Sequence, residues 1–106
     1  MTVNKDLLVL TQNQPEKAIN LITSWAYGFK AQIGGTRTPG LWMMSGGQRL
    51  LQRSRGDQLY RDFDSCNNYK SGSISASNIT CPTLIIAGES DKMTPIQSAR
   101  KAHDLI

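Results

Sequence analysis

The pattern of hydrophobic and polar positions in this chain of 106 residues changes once, near residue 80. Before that point, apolar residues recur every three or four positions, which is the spacing of amphipathic helices. After it, residues 83–87 form an apolar run without alternation, which is typical of a strand buried on both faces of a sheet. The pattern therefore predicts a mostly α-helical chain with one strand.

The strongest helical signals lie in the first third of the chain. Asn4 is placed to cap a short first helix. A clearer helix is predicted over about residues 14–27, where Asn13 would cap the first turn and Pro15 suits it. Gly28 then supplies the stop. This helix is amphipathic and needs a surface against which to pack.

The helical signals are weaker in the middle of the chain. Residues 30–40 are rich in glycine and proline and indicate a loop. The helical pattern over residues 41–53 contains Gly46 and Gly47, which cost about 1 kcal/mol each relative to alanine, so a kink or a break is expected there. A fourth helix is predicted from Asp57, where a negative charge suits the helix dipole.

The polar, small-residue segment 71–79 predicts a linker. It separates a helical region, residues 1–70, from a strand, turn and helix over residues 80–106. One strand cannot satisfy its own backbone groups, and the sequence predicts no second strand. The chain is therefore expected to be incomplete as a stand-alone fold, with sheet neighbours supplied by sequence outside these residues or by another copy of the molecule.

The turn after the predicted strand contains Asp91. Open α/β sheets collect their chemistry beyond the carboxyl ends of parallel strands, so Asp91 is the candidate catalytic residue. Pro82, the apolar run, Gly88 and then Asp91, followed by Thr94-Pro95 and a helix, resemble the acid-bearing segment of the α/β-hydrolase superfamily. The upstream helices resemble, more loosely, the helical cap of that superfamily.

The resemblance implies a Ser-His-Asp triad in an intact enzyme, with Asp91 orienting the histidine and a small apolar ester-like molecule as substrate. It implies no cofactor and no metal. The cap would select the substrate, and four large apolar residues are candidates to line its pocket: Trp25, Trp42, Met43 and Met93. Helical spacing also allows these residues to be packing residues of a small core.

A nucleophile and a triad histidine are not evident. The superfamily needs a serine in Gly-x-Ser-x-Gly, which the sequence lacks, and neither Ser90 nor Ser45 has the required surroundings. His103 falls inside the helix predicted after Asp91. The chain alone is therefore predicted to be inactive. The alternative is a non-catalytic interaction module that self-associates through its unpaired strand, with Asp91 as a turn-forming residue.

Composition bears on four further properties: nucleic-acid binding, cellular location, metal binding and membrane insertion. The net charge is +4, but the basic residues are scattered and interrupted by acids, so nucleic acid is not an expected partner. Cys66 and Cys81 could form a disulfide in principle, yet nothing at the start of the chain resembles a secretory signal, which favours free thiols in the cytoplasm. Their spacing does not predict a zinc site. The apolar runs are too short to span a membrane.

Overall fold

A computed structural model describes residues 2–38 and 40–106, and the regular structure in these residues is entirely helical. The helices are α1 Lys5–Asn13, α2 Pro15–Ala26, α3 Phe29–Gln32, α4 Met43–Leu51, α5 Gln58–Asn68, α6 Gly72–Ser77 and α7 Ile96–His103. The predicted fold class is mostly α with one strand. This prediction is wrong, because the described residues form no strand. None of the described helices has the length and apolar character needed to cross a membrane.

Two helices joined by a single residue begin the fold. Asn4 caps α1 as predicted, its side-chain oxygen accepting from the Leu7 amide at 3.0 Å. The predicted capping role of Asn13 is wrong, because α1 continues through this residue. Gln14 instead separates α1 from α2, and Pro15 occupies the first turn of α2. A proline is tolerated there because the first-turn amides have no partner within the helix.

The core forms where α1, α2 and α5 meet. Its buried apolar residues are Val3, Leu7, Ala18, Ile19, Ile22 and Leu59. Helix α1 packs against both α2 and α5, while α4 packs against α2 and against the short α3. The amide of Val3 donates to Asn67 Oδ1 at 3.1 Å, which ties the start of the chain to the end of α5.

Helix α4 is continuous from Met43 to Leu51, so the predicted break into two helices at Gly46 and Gly47 is wrong. The two glycines differ in their surroundings. A Cβ on Gly47 would lie 2.8 Å from the hydroxyl oxygen of Tyr27, whereas a Cβ on Gly46 would meet no described atom within 4 Å. Gly47 thus permits the close approach of α4 to the tyrosine ring, and α4 forms although both glycines have a weak helix propensity.

The predicted strand forms no ladder. Residues 82–88 have no regular secondary structure, and the backbone amides of residues 83–87 donate to no acceptor in the described part of the chain. Strand hydrogen bonds are made between strands, and no second strand lies among the described residues to provide them. We call residues 82–88 the unpaired segment.

The two C-terminal helices are short. Helix α6 lies within the predicted linker, 71–79. Helix α7 follows Pro95, and no described side chain caps its first turn, although Thr94 has a side chain that could do so. The hydroxyl of Thr94 donates to Asp91 instead. The position of α7 is therefore linked to the turn that contains the candidate acid.

Candidate functional site

Asp91 organises the turn between the unpaired segment and α7. Its Oδ1 accepts from the amides of Met93 at 2.7 Å and Thr94 at 3.0 Å, and its Oδ2 accepts from the Thr94 hydroxyl at 2.6 Å. A carboxylate has about four lone-pair positions, so these three bonds leave one position open on Oδ2. The arrangement serves the turn and still leaves the carboxylate able to accept one further hydrogen bond.

The surroundings of Asp91 favour its ionised form. Burial is the largest single influence on the pKa of Asp91, and it raises this pKa. The hydrogen bonds from the Thr94 hydroxyl and from the amides of Thr94 and Met93 lower the pKa, and together they outweigh burial, so the net shift is downward. Each of these donors interacts more strongly with the charged carboxylate than with the neutral acid. Asp91 is therefore a carboxylate at neutral pH, as the acid of a triad must be.

The turn is held against the end of α2. The Lys92 amide donates to the Trp25 carbonyl at 2.9 Å. Next to this bond, a Cβ on Gly28 would lie only 2.8 Å from Ser90 Cβ, so the glycine allows the turn to approach α2 closely. Because these contacts fix the residues on both sides of Asp91, the carboxylate has a defined position relative to the helical core.

Two of the four predicted pocket residues lie together. Trp25 and Met93 line an open cleft of about 420 Å³ between the N-terminal residues, α2, α5 and the turn. We call it the Trp25 cleft, and its lining consists of Thr2, Val3, Asn4, Leu7, Trp25, Phe63, Lys92, Met93 and Pro95. Trp25, Phe63 and Met93 also pack against the buried core. Trp25 and Met93 therefore both line a cleft and pack against the core, so the two alternatives predicted for them hold together.

The other two predicted pocket residues lie elsewhere. Trp42 lines a separate shallow cleft of about 410 Å³ with Ile33 and Leu41, and its indole N–H donates to the Gln32 carbonyl at 3.0 Å. Met43 begins α4, where its side chain is exposed. The structure does not gather all four residues into one pocket.

Asp91 itself faces a third cleft, of about 400 Å³, between the turn and the start of α3. Its lining includes Tyr27, Phe29, Gln32 and Glu89. Lys92 lines both this cleft and the Trp25 cleft. The candidate acid and the apolar cleft are therefore neighbours that open on two sides of one turn.

The serine and histidine side chains do not complete a triad within the described residues. Ser90 is packed against Gly28, and Ser45 lies in the first turn of α4, not on a strand-to-helix turn. His103 is exposed at the end of α7, with its Nδ1 at 3.4 Å from Asp104 Oδ1. No described hydrogen bond joins it to Asp91.

Phe63 and Lys92 line the Trp25 cleft but were not predicted as site residues. Phe63 lies on the apolar face of α5, and this amphipathic pattern is a sequence signal that could have placed it beside a cleft. The position of Lys92 depends on the docking of the turn onto α2, for which the sequence carries no local signal. Cys66 and Cys81 are both free and exposed, and the described residues contain no cluster of acids, cysteines and histidine that could hold a metal ion.

Comparison of the chain with protein-family models, with curated proteins and with solved structures found no match.

Proposed function

We propose that this chain is the cap and acid-bearing part of an α/β-hydrolase-type assembly and that it hydrolyses no ester by itself. The observation that carries the proposal is the unpaired segment, which leads directly into the ordered Asp91 turn. The likeness of residues 79–106 to the acid-bearing segment of that superfamily supports the proposal. In the assembly, the missing hydrolase core would supply the sheet neighbours, the serine and the histidine.

The side chains of the unpaired segment favour a position between two layers. Ile85 and Ala87 line a small cleft with Ile96 and Ala99 of α7, so this side of the segment faces a helix. Leu84 and Ile86 are 83% and 88% exposed. A segment that a helix covers on one side, and that exposes apolar side chains on the other, leaves one face for a second layer.

Burial of the exposed side chains would drive the pairing. Removing a leucine or isoleucine side chain from water contributes about 1.5–3 kcal/mol, so Leu84 and Ile86 together offer about 3–6 kcal/mol before the entropic cost of association is counted. The backbone amides of residues 83–87 would gain acceptors at the same time. A partner sheet satisfies both requirements.

Asp91 would act as the positioning acid of the completed site. Its open Oδ2 position would accept the N–H of a histidine from the core, hold that ring in one tautomer, and stabilise the imidazolium formed when the serine is deprotonated. The hydrogen bonds that the carboxylate already accepts from its own turn would keep it oriented while the histidine changes its charge. Asp91 would not need to exchange a proton.

The test begins with the DNA on either side of these 106 codons. We expect Gly-x-Ser-x-Gly upstream and a Gly-His turn downstream. In the polypeptide that carries both motifs, Asp91→Asn should lower turnover of short p-nitrophenyl esters by about four orders of magnitude, while Asp62→Asn, at an exposed position on α5, should not. The chain alone should show background hydrolysis only. Absence of both motifs, or turnover by the chain alone that a serine-directed inhibitor abolishes, would contradict the proposal.

Self-association is the second candidate function, and the exposure of Leu84 and Ile86 favours it. A second copy offers the same unpaired backbone and the same apolar side chains, so two copies could cover each other. Sedimentation equilibrium should then detect a dimer that Ile86→Lys dissociates. Ile74→Lys is the matched control, because Ile74 is 70% exposed on α6, outside the segment. A wild-type monomer at high protein concentration would exclude this candidate.

A further inference from the structure

The Trp25 cleft is built by chain segments that are far apart in the sequence. Val3 reaches it from the N-terminus, Phe63 from α5 and Met93 from the turn. Two long-range hydrogen bonds hold these walls in place, from the Val3 amide to Asn67 and from the Lys92 amide to the Trp25 carbonyl. Because these bonds join residues of the chain itself, they order the walls of the cleft independently of what binds there.

The size and lining of the cleft suit a small molecule with an apolar body. Its volume of about 420 Å³ lies in the range of ligand pockets, about 300–1,000 Å³. Trp25 and Phe63 provide aromatic surface, and Met93 provides aliphatic surface. Such walls bind alkyl chains or rings through burial of apolar area and give little preference among polar groups.

The polar residues of the cleft favour an anion. Lys92 is the one charged residue in the described lining, and no described carboxylate lies within ion-pair distance of its ammonium group. The side-chain oxygen of Asn4 is occupied by the Leu7 amide, so the side-chain N–H groups of Asn4 remain as donors. The described lining therefore offers a cation and hydrogen-bond donors and contains no acidic side chain, and the Asp91 carboxylate on the same turn faces the neighbouring cleft.

We propose that the Trp25 cleft binds a small amphipathic carboxylate, with its alkyl or aryl body between Trp25 and Phe63 and its carboxylate near Lys92 and Asn4. The inference does not depend on the pairing of the unpaired segment, since that segment does not line the cleft. It would stand if the hydrolase proposal failed, because the walls and the charge belong to the described residues themselves.

Octanoate is a suitable probe, and 1-octanol is its neutral counterpart. Both are titrated below micelle-forming concentrations into the protein labelled with nitrogen-15. The indole N–H resonance of Trp25 should shift with saturation, while that of Trp42 should stay in place as an internal control. An exposed lysine–carboxylate pair is weak, so octanoate should bind about 2- to 5-fold more tightly than 1-octanol.

Two charge variants separate the carboxylate preference from apolar binding. Lys92→Gln and Thr2→Glu should each remove the preference for octanoate and leave 1-octanol binding unchanged. Lys101→Gln, on α7 and outside the cleft, should preserve the preference. Both cleft substitutions affect exposed residues, so the variants should remain folded, which circular dichroism checks. Equal shifts at both tryptophans, no saturation with either probe, or equal affinities for the two probes in the wild-type protein would overturn the proposal.

Discussion

The Asp91 turn gives the sharpest test of how the acid-bearing segment is held on the helical core. Asp91→Ala removes the acceptor of three hydrogen bonds, two from backbone amides and one from the Thr94 hydroxyl. The Lys92 amide does not bond to Asp91, because it donates to the Trp25 carbonyl. The exchange rate of the Lys92 amide with solvent therefore reports whether the turn remains docked on α2.

The expected magnitude follows from the exposure of the site. Side chains that cap exposed backbone amides contribute about 0.5–2 kcal/mol. Asp91 is partly buried and Thr94 is exposed, so water replaces part of what the substitution removes. We expect the free energy of local opening to fall by about 1–2 kcal/mol, which raises the exchange rate of the Lys92 amide by about 5- to 30-fold.

The same amide should show the effect of the lowered Asp91 pKa. A carboxyl group whose pKa is depressed in the folded state stabilises that state above its ordinary pKa, and this contribution is lost as the pH falls through the depressed value. Asp91→Asn removes the titration. The difference in opening free energy between the wild-type protein and Asp91→Asn should therefore be largest near neutral pH. It should become smaller as the pH falls through the depressed pKa of Asp91.

Hydrogen exchange measured by NMR checks both expectations, with Glu89→Gln as the control on the same turn. Glu89 makes no described hydrogen bond or ion pair, so its substitution should leave the Lys92 amide unchanged. If Asp91→Ala accelerates exchange at Met93 and Thr94 but not at Lys92, the carboxylate orders only its own turn. The reasoning that links Asp91 to the docking on α2 would then be refuted.

Three further substitutions test the packing of the helical core. Leu7→Ala should destabilise the protein by about 2–5 kcal/mol in urea denaturation, because Leu7 is 1% exposed and its removal leaves a cavity; a loss below 1 kcal/mol would show that the core collapses around the site. Gly46→Ala should stabilise α4 by up to about 1 kcal/mol, whereas Gly47→Ala should destabilise the protein, because its Cβ would collide with Tyr27. Equal effects at the two glycines would contradict the close packing of Tyr27 on α4.

The local helix signals predicted much of the N-terminal fold. Asn4 has the side chain that a first turn requires, and the structure uses it as the cap. Pro15 lies in the first turn of α2, as its fixed backbone geometry predicts. These features depend on residues within one or two turns of each other, which is why a sequence pattern is sufficient to find them.

Features that depend on distant parts of the chain were not predictable in the same way. Gly47 of α4 lies against Tyr27, about twenty residues away, and no local pattern predicts this contact. The apolar run at residues 83–87 has the composition of a strand, but a strand also needs neighbours, and the described residues provide none. Trp25 and Met93 share a cleft, whereas Trp42 does not, because the docking of the turn on α2 decides which side chains meet.

The distribution of buried side chains divides the chain into two parts with different tolerance to mutation. Every fully buried apolar residue described lies at or before Leu59, and none lies in the region that contains the unpaired segment and α7. Substitutions of exposed side chains in that region should barely alter the melting temperature. The helical core therefore does not require the apolar side chains of Leu84 and Ile86, which leaves them available for a contact outside the described residues.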